Sequence, residues 1–129
     1  QLFAVAENVD VVIGSRYCSG GHIEGWPWWR RIVSRGVNVA SRRFLRLPVN
    51  DASGNFRVYR VEALKQLDLD GFGAVGYAWL EEILWHLDRR GASFAEVPIT
   101  FRQRRAGRSK ASWREAIGKI ATIARLAMR

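Results

Sequence analysis

Cysteine is almost missing from this sequence of 129 residues, since Cys18 is the only one. One cysteine rules out an internal disulfide and a zinc site built on cysteines, and it fits a reducing compartment. Long apolar runs are missing as well, because no uninterrupted stretch approaches the roughly 20 residues that a membrane-spanning helix needs. Apolar residues nevertheless make up 48% of the chain. The composition therefore predicts one folded domain with a hydrophobic core.

Acidic residues are scarce in two segments, and cations are concentrated there. Residues 30–46 contain six arginines and no acid, and residues 102–129 contain nine cations and a single acid, Glu115. The remainder holds six cations and eleven acids, which brings the net charge to +9. Two basic segments on a mildly acidic body favour phosphorylated ligands, polyanions or an anionic membrane surface as partners.

The hydrophobic patterns predict the order β–α–β–α–α–β–α, which is typical of an α/β domain with a small, partly mixed sheet. Residues 10–17 read as a buried strand that delivers Arg16 at its carboxyl end, where ligands bind in open α/β sheets. Residues 19–25 are predicted to be a flexible loop. Residues 93–101 form a strand interrupted by Pro98, which implies an edge or a bulge. The chain begins in mid-pattern at Gln1, so we expect a fragment of a longer protein.

Residues 51–60 are predicted to be a turn that leads directly into a strand. Arg57 and Arg60 place charge at the strand's ends, which favours a site for an anionic ligand. Two interpretations of Asp51 remain open: it orients an acceptor or takes part in proton transfer, or it caps the strand entry through an Asx-turn. For Arg16 the alternative to a ligand contact is a surface ion pair.

Two amphipathic helices carry cations beside an apolar stripe, one over residues 28–46 and one over residues 112–129. Each stripe either packs on the core or lies at a membrane interface, where Trp and Arg are favoured. The basic segment 102–110 is either a phosphate grip or a solvated run of charge. A further helix, over residues 77–90, holds the adjacent Glu81 and Glu82, of which at most one is expected to face a site.

Six motifs in this order resemble the C-terminal half of the dolichol-phosphate (polyprenol-phosphate) mannosyltransferases of glycosyltransferase family two. They are residues 12–17, residues 25–26 with 30–38, residues 51–60, residues 76–77 with Glu82, residues 96–99 and residues 104–110. The resemblance implies half of a GT-A fold. Residues 1–111 would be the acceptor-side part of the domain, and residues 112–129 a basic amphipathic C-terminal helix.

The resemblance also implies an activity and its site. The family transfers mannose from GDP-mannose to a polyprenyl or dolichyl phosphate, with inversion and with Mg²⁺ or Mn²⁺. We therefore expect a peripheral enzyme on the cytoplasmic face of a membrane. The residues that match catalytic positions are Arg16, Asp51 and Arg104, and those that match phosphate contacts are Arg16, Arg30, Arg31, Ser34, Arg104, Arg105, Ser109 and Lys110.

The sequence departs from the family in its metal ligands. The Asp-x-Asp motif is absent, and Asp68-Leu69-Asp70 lies in the wrong place in the order, so no metal site is expected in this chain and the isolated fragment is expected to be inactive. Gln103 replaces a usually acidic residue. Alternatives are a related transferase that uses UDP-glucose, or a non-catalytic basic module that binds a membrane or nucleic acid. The sequence contains no nucleic-acid signature, so we expect no nucleic-acid partner. We also expect the fragment to self-associate through an exposed sheet edge.

Overall fold

The computed structural model describes residues 1–74, 76–103 and 113–129, and it has an α/β architecture with helices flanking two small sheets. The strands are β1 (Val11–Ser15), β2 (His22–Glu24), β3 (Arg57–Tyr59), β4 (Phe94–Pro98) and β5 (Thr100–Arg102). The helices are α1 (Leu2–Ala6), α2 (Trp28–Phe44), α3 (Val61–Lys65), α4 (Trp79–Arg89) and α5 (Trp113–Ala127), with short 3₁₀ turns at Leu69–Gly71 and Gly76–Ala78.

The main sheet has the order β3-β1-β4 and is mixed, as predicted. Strand β1 runs antiparallel to β3 and parallel to β4, so Val12 lies opposite Val58 on one side and Ala95 on the other. Every residue of β1 is buried, which explains its unbroken apolar sequence. This central strand ends at Ser15 and so delivers Arg16 at the carboxyl edge of the sheet.

The second sheet pairs β2 with β5 in parallel and corrects the prediction of a flexible loop over residues 19–25. The chain leaves β4 at Pro98, which lies on the edge of the main sheet as expected, and continues into β5. The His22 N–H then donates to the Ile99 carbonyl, 2.9 Å away. Gly20 and Gly25 adopt φ values of 87° and 82°, so the glycines bracket a strand with turns.

The core lies between the main sheet and helices α2, α4 and α5. Ile123 and Leu126 of α5 are part of it, so the core-packing interpretation holds for the second half of that helix. The apolar stripe predicted for α2 is wrong in part, because Ile32 and Phe44 are more than half exposed. The buried face of α2 is narrower and partly polar, and its buried residues are Val37, Asn38 and Ser41. None of the helices in the described ranges is long and apolar enough to cross a bilayer.

Candidate functional site

A cavity of about 310 Å³, called the cleft below, opens between the end of β1, the first turns of α2 and the first half of α5. Cations reach it from all three: Arg16 follows β1, Arg30 lies on α2 and Lys119 lies on α5. Most of the remaining wall is aromatic or aliphatic. The apolar lining residues are Trp26, Trp29, Val33, Val37, Phe56, Tyr77, Leu80, Ile99, Phe101, Trp113 and Ala116. Such a cleft suits a ligand that has an anionic head and an apolar body.

Arg16 is held by a bidentate ion pair with Asp51. Arg16 Nε donates to Asp51 Oδ2 and Arg16 Nη2 donates to Oδ1, both at 2.7 Å, and the backbone N–H of Arg16 donates to Oδ2 at 3.0 Å. Arg16 Nη2 also donates to Ser53 Oγ at 3.0 Å. The Asp51 side chain has no exposed surface, and that of Arg16 is 9% exposed. Arg16 is therefore part of a buried pair rather than a surface ion pair, and its planar group is fixed at the wall of the cleft.

The turn that carries Asp51 is held by Glu96 of β4. The Glu96 carboxylate accepts hydrogen bonds from the backbone N–H groups of Asn50 and Asp51, each at 3.0 Å, and from Asn50 Nδ2 at 2.8 Å. Within the turn the Gly54 N–H donates to Asp51 Oδ1 at 3.0 Å. A Cβ on Gly54 would lie 3.2 Å from that oxygen, which explains the glycine. Asp51 is thus both a turn cap and the partner of Arg16.

Stability at low pH should depend on this pair. Burial alone would raise the pKa of Asp51, but the Arg16 guanidinium outweighs burial and holds that pKa below its ordinary 3.8. A lowered folded pKa contributes stability above the unfolded value, and that contribution is lost as pH falls below about 4. We expect the free energy of unfolding in urea to fall between pH 5 and pH 3, and Asp51→Asn to remove part of that fall.

The rest of the decrease in the free energy of unfolding at low pH is expected to come from other carboxylates. Hydrogen bonds from Ser93 lower the pKa of Asp10 as well, and that residue lies outside the cleft. Equal pH dependence in Asp51→Asn and the unsubstituted protein would contradict the prediction for Asp51.

Trp26 brings a second guanidinium next to Arg16. The Cζ atom of Arg30 lies 4.0 Å from the centroid of the Trp26 ring, and that of Arg16 lies 5.2 Å from it. Phe101 packs edge-on against the same ring at 5.4 Å. Burial and the neighbouring Arg16 cation lower the pKa of Arg30, and within the described ranges no carboxylate lies at ion-pair distance from it. An anion between the two guanidiniums would relieve their repulsion.

The other residues that were expected to contact an anion do not all lie beside Arg16 and Arg30. Ser34 lines the cleft and accepts a hydrogen bond from Tyr17 Oη at 2.7 Å, and its contact with phosphate stays a prediction. Arg31, in contrast, turns away and donates to the Ile23 carbonyl at 2.9 Å, which fastens β2 to α2. Arg57 and Arg60, which were expected to favour an anion site, do not line the cleft: Arg57 donates to the Leu80 and Ala52 carbonyls, and Arg60 donates to the Glu7 carbonyl.

The predicted contacts from the basic loop are not tested by the structure. Arg104, Arg105, Ser109 and Lys110 lie outside the described residues. For the metal, no group of three or more His, Cys, Asp or Glu side chains that could hold an ion occurs in the described ranges. These residues therefore do not fit a divalent cation by themselves.

Sequence reasoning missed the contribution of α5 to the cleft. From the sequence, Lys119 was only one of the cations beside the apolar stripe of the helix over residues 112–129. In the structure it lines the cleft and forms an ion pair with Glu81 at 2.9 Å. Glu82 forms an equivalent pair with Arg125 at 3.0 Å. Neither glutamate is exposed. The only available signal was a pair of adjacent acids in an apolar helix and a basic helix elsewhere in the chain.

Comparison with known proteins gives homologues over most of the chain, although no family model matches it. The chain is 40% identical over 123 residues to "Polyprenol monophosphomannose synthase" of Mycolicibacterium smegmatis, covering 93% of this chain and 46% of that protein. It is 35% identical over 112 residues to "Undecaprenyl-phosphate mannosyltransferase" of Micrococcus luteus, covering 87% of this chain and 46% of that protein. The chain thus spans about half the length of these curated relatives. The resemblance noted from the six motifs is confirmed, because the chain is similar over about nine tenths of its length to proteins named as polyprenyl-phosphate mannosyltransferases.

Proposed function

We propose that the intact protein transfers mannose from GDP-mannose to a polyprenyl phosphate, and that the cleft holds the phosphate of the acceptor beside the donor diphosphate. The observation that carries this proposal is the placement of Arg16 and Arg30 on one Trp26 ring inside a cavity whose lining is mostly aromatic or aliphatic. Two guanidiniums that pack on the same ring match a phosphate, and apolar walls match the first prenyl units. In this proposal residues 1–111 form the acceptor-side part of a GT-A domain, and residues 112–129 complete the wall.

The proposed chemistry needs charge stabilisation more than proton transfer. An acceptor phosphate oxygen forms a bond to the anomeric carbon of mannose from the face opposite the donor diphosphate, which inverts that carbon. The bond from the anomeric carbon to the diphosphate oxygen breaks, and GDP leaves with the electron pair. The nucleophile is already anionic near neutral pH, so no strong base is required. Arg16 and Arg30 would hold it close to an anionic leaving group.

The contacts of Asp51 favour a role in charge stabilisation over a role in proton transfer. Its carboxylate is buried and occupied by Arg16 and by the backbone of its own turn. A carboxylate in that state is poorly suited to accept a proton from a ligand, because protonation would break the pair with Arg16. We therefore assign Asp51 the role of positioning Arg16.

We propose that the surface around the cleft lies on the cytoplasmic face of a membrane as a peripheral contact. Trp29 of α2 stacks on Trp113 of α5 with ring centroids 5.8 Å apart, so the two helices present one continuous apolar surface. Trp28, Ile32 and Ile117 are more than half exposed beside it. Exposed tryptophans next to arginines are typical of a headgroup interface. A prenyl chain leaving the cleft would enter the bilayer directly.

A divalent cation remains a proposal for the intact enzyme only. Mg²⁺ or Mn²⁺ would stabilise the leaving diphosphate when bound. Since the described residues do not fit such an ion, its ligands would belong to the half of the relatives that this chain does not span. No step above depends on it.

Adjacent arginines of α2 give a matched test of the proposed function. In the full-length protein, Arg30→Met should weaken prenyl-phosphate binding by roughly tenfold or more, because it keeps an aliphatic side chain but removes the guanidinium, and with it a charge-assisted hydrogen bond to phosphate. Arg31→Met should change it by less than about twofold, since in the described part of the chain Arg31 does not line the cleft and donates to the Ile23 carbonyl at an exposed position. The measurement is transfer from radiolabelled GDP-mannose to farnesyl phosphate at varied acceptor concentration.

The same assay separates the alternatives. Transfer from UDP-glucose in place of GDP-mannose would point to the related glucosyltransferase. Equal effects of Arg30→Met and Arg31→Met would contradict the placement of the phosphate in the cleft. Binding to an oligonucleotide without any binding to prenyl phosphate would favour the non-catalytic basic module.

A further inference from the structure

Helix α5 makes ion pairs with two buried glutamates of α4, and the pairs differ in where the cation lies. Lys119 Nζ donates to Glu81 Oε1 at 2.9 Å, and Arg125 Nη2 donates to Glu82 Oε1 at 3.0 Å. Both glutamate side chains have no exposed surface. Of these two cations, Lys119 lines the cleft and Arg125 does not. The second pair is therefore a natural control for the first.

The hydrogen bonds of the two glutamates also differ. Glu82 accepts the backbone N–H groups of Gly73 and Ala74, at 3.2 and 2.8 Å, in addition to Arg125, so its carboxylate is satisfied by the fold. Glu81 accepts from Lys119 at Oε1, while its buried Oε2 has no hydrogen-bond partner among the described residues. A buried carboxylate oxygen without a partner is costly.

Lysine adds donors that the pair with Glu81 does not use. An ammonium group has three N–H donors, and the structure places one of them on Glu81. The side chain of Lys119 is 13% exposed, and that exposure borders the cleft. Among the described residues the cleft lining then carries three cations, Arg16, Arg30 and Lys119, and one carboxylate, Glu115, which lies one turn before Lys119 on α5.

We propose that Lys119 is a third phosphate-binding cation of the cleft and that Glu81 is the positioning residue that holds it there. The proposal rests on the proposed function and extends its site to α5, which none of the motif residues occupies. The ligand chemistry is a phosphate ester, supplied either by the acceptor or by the donor diphosphate. Its charge would be shared between Lys119 on one wall and the two arginines on the other.

The test compares four forms of the full-length protein by titration calorimetry with farnesyl phosphate and, separately, with GDP. Lys119→Met keeps the aliphatic stem and removes the charge, so it should weaken one of these ligands by about tenfold or more. Arg125→Met should leave both affinities unchanged while lowering the unfolding temperature. Glu81→Gln removes the competing negative charge and should tighten the ligand that Lys119→Met weakens.

The opposite signs of Lys119→Met and Glu81→Gln distinguish binding from a structural role, because a structural pair would lose affinity with either change. The ligand that responds identifies the phosphate. Equal affinities of Lys119→Met and Arg125→Met for both ligands, or weaker binding by Glu81→Gln, would overturn the inference and leave the proposed function standing. If the unsubstituted protein binds neither ligand, the proposed function fails and the inference fails with it.

Discussion

Replacing Arg16 with Ala is expected to slow mannosyl transfer at least tenfold, which corresponds to about 1.4 kcal/mol or more at the barrier. The expectation rests on geometry, because Arg16 is the cation fixed most rigidly at the wall of the cleft, by two hydrogen bonds of 2.7 Å to Asp51. The loss should appear both in the apparent affinity for the acceptor and in turnover, since the proposed contact strengthens as charge shifts to the leaving diphosphate. Steady-state transfer to farnesyl phosphate measures both quantities.

A second cation of the same domain controls for loss of charge. Arg60 contacts Asp10 at 3.8 Å in a pair that is 41% and 28% exposed, and it lies away from the cleft. Arg60→Ala should change transfer by less than twofold, because exposed pairs contribute about 0–1 kcal/mol. Arg16→Lys keeps the charge without the bidentate geometry. Its transfer rate should therefore lie between those of Arg16→Ala and Arg60→Ala. Near-normal turnover in Arg16→Ala would refute the assignment of Arg16 to the phosphate.

The strand that carries Arg16 was predictable because its signal is local. Five consecutive buried residues in β1 produce an apolar run that ends in Gly14-Ser15, and the strand therefore had to deliver Arg16 at its carboxyl end. The turn at Asp51 was equally visible, since Asp, Ser and Gly in that order are turn formers. Each of these features depends on fewer than ten neighbouring residues.

Which cations face the cleft was not predictable from composition. Arg30 and Arg31 are adjacent on α2 and so point about 100° apart, and only a known helix orientation decides that Arg30 enters the cleft. Arg57 has the same charge as Arg16, but it donates to the Ala52 and Leu80 carbonyls. Tertiary contacts therefore decide whether an arginine close to a turn binds backbone carbonyls or a ligand.

The parts that sequence reasoning missed all depend on residues far apart in the chain. Strand β2 has only three residues and exists because β5 pairs with it, nearly 80 positions later. Glu96 holds the turn of Asp51 from a different strand. Lys119 reaches the cleft only because α5 packs between α2 and α4. Local patterns carry no information about such pairings.

The pair of Arg16 and Asp51 makes Asp51→Ala the most destabilising change that we predict. Removing the carboxylate leaves the Gly54 N–H without this acceptor, and it leaves the buried Arg16 guanidinium with Ser53 Oγ but without its charged partner. Loss of one partner from a buried pair costs about 3–5 kcal/mol, which is a large part of the roughly 5–15 kcal/mol that stabilises a domain. Urea unfolding at neutral pH measures this loss, and transfer should fall with it, because Arg16 is no longer held.

A double-substituted protein separates the effect on the fold from the effect on the chemistry. Replacing Arg16 with Met and Asp51 with Leu removes both charges, so the combined loss of stability should be smaller than the sum of the two single losses. Transfer should remain as slow as in Arg16→Met alone, since the proposed contact with phosphate is still missing. If Asp51 instead acted as a base, Asp51→Asn would remove a limb of the pH–rate profile. Because the Asp51 carboxylate is already occupied by Arg16 and its pKa is held below 3.8, we expect that profile to keep its shape above pH 5.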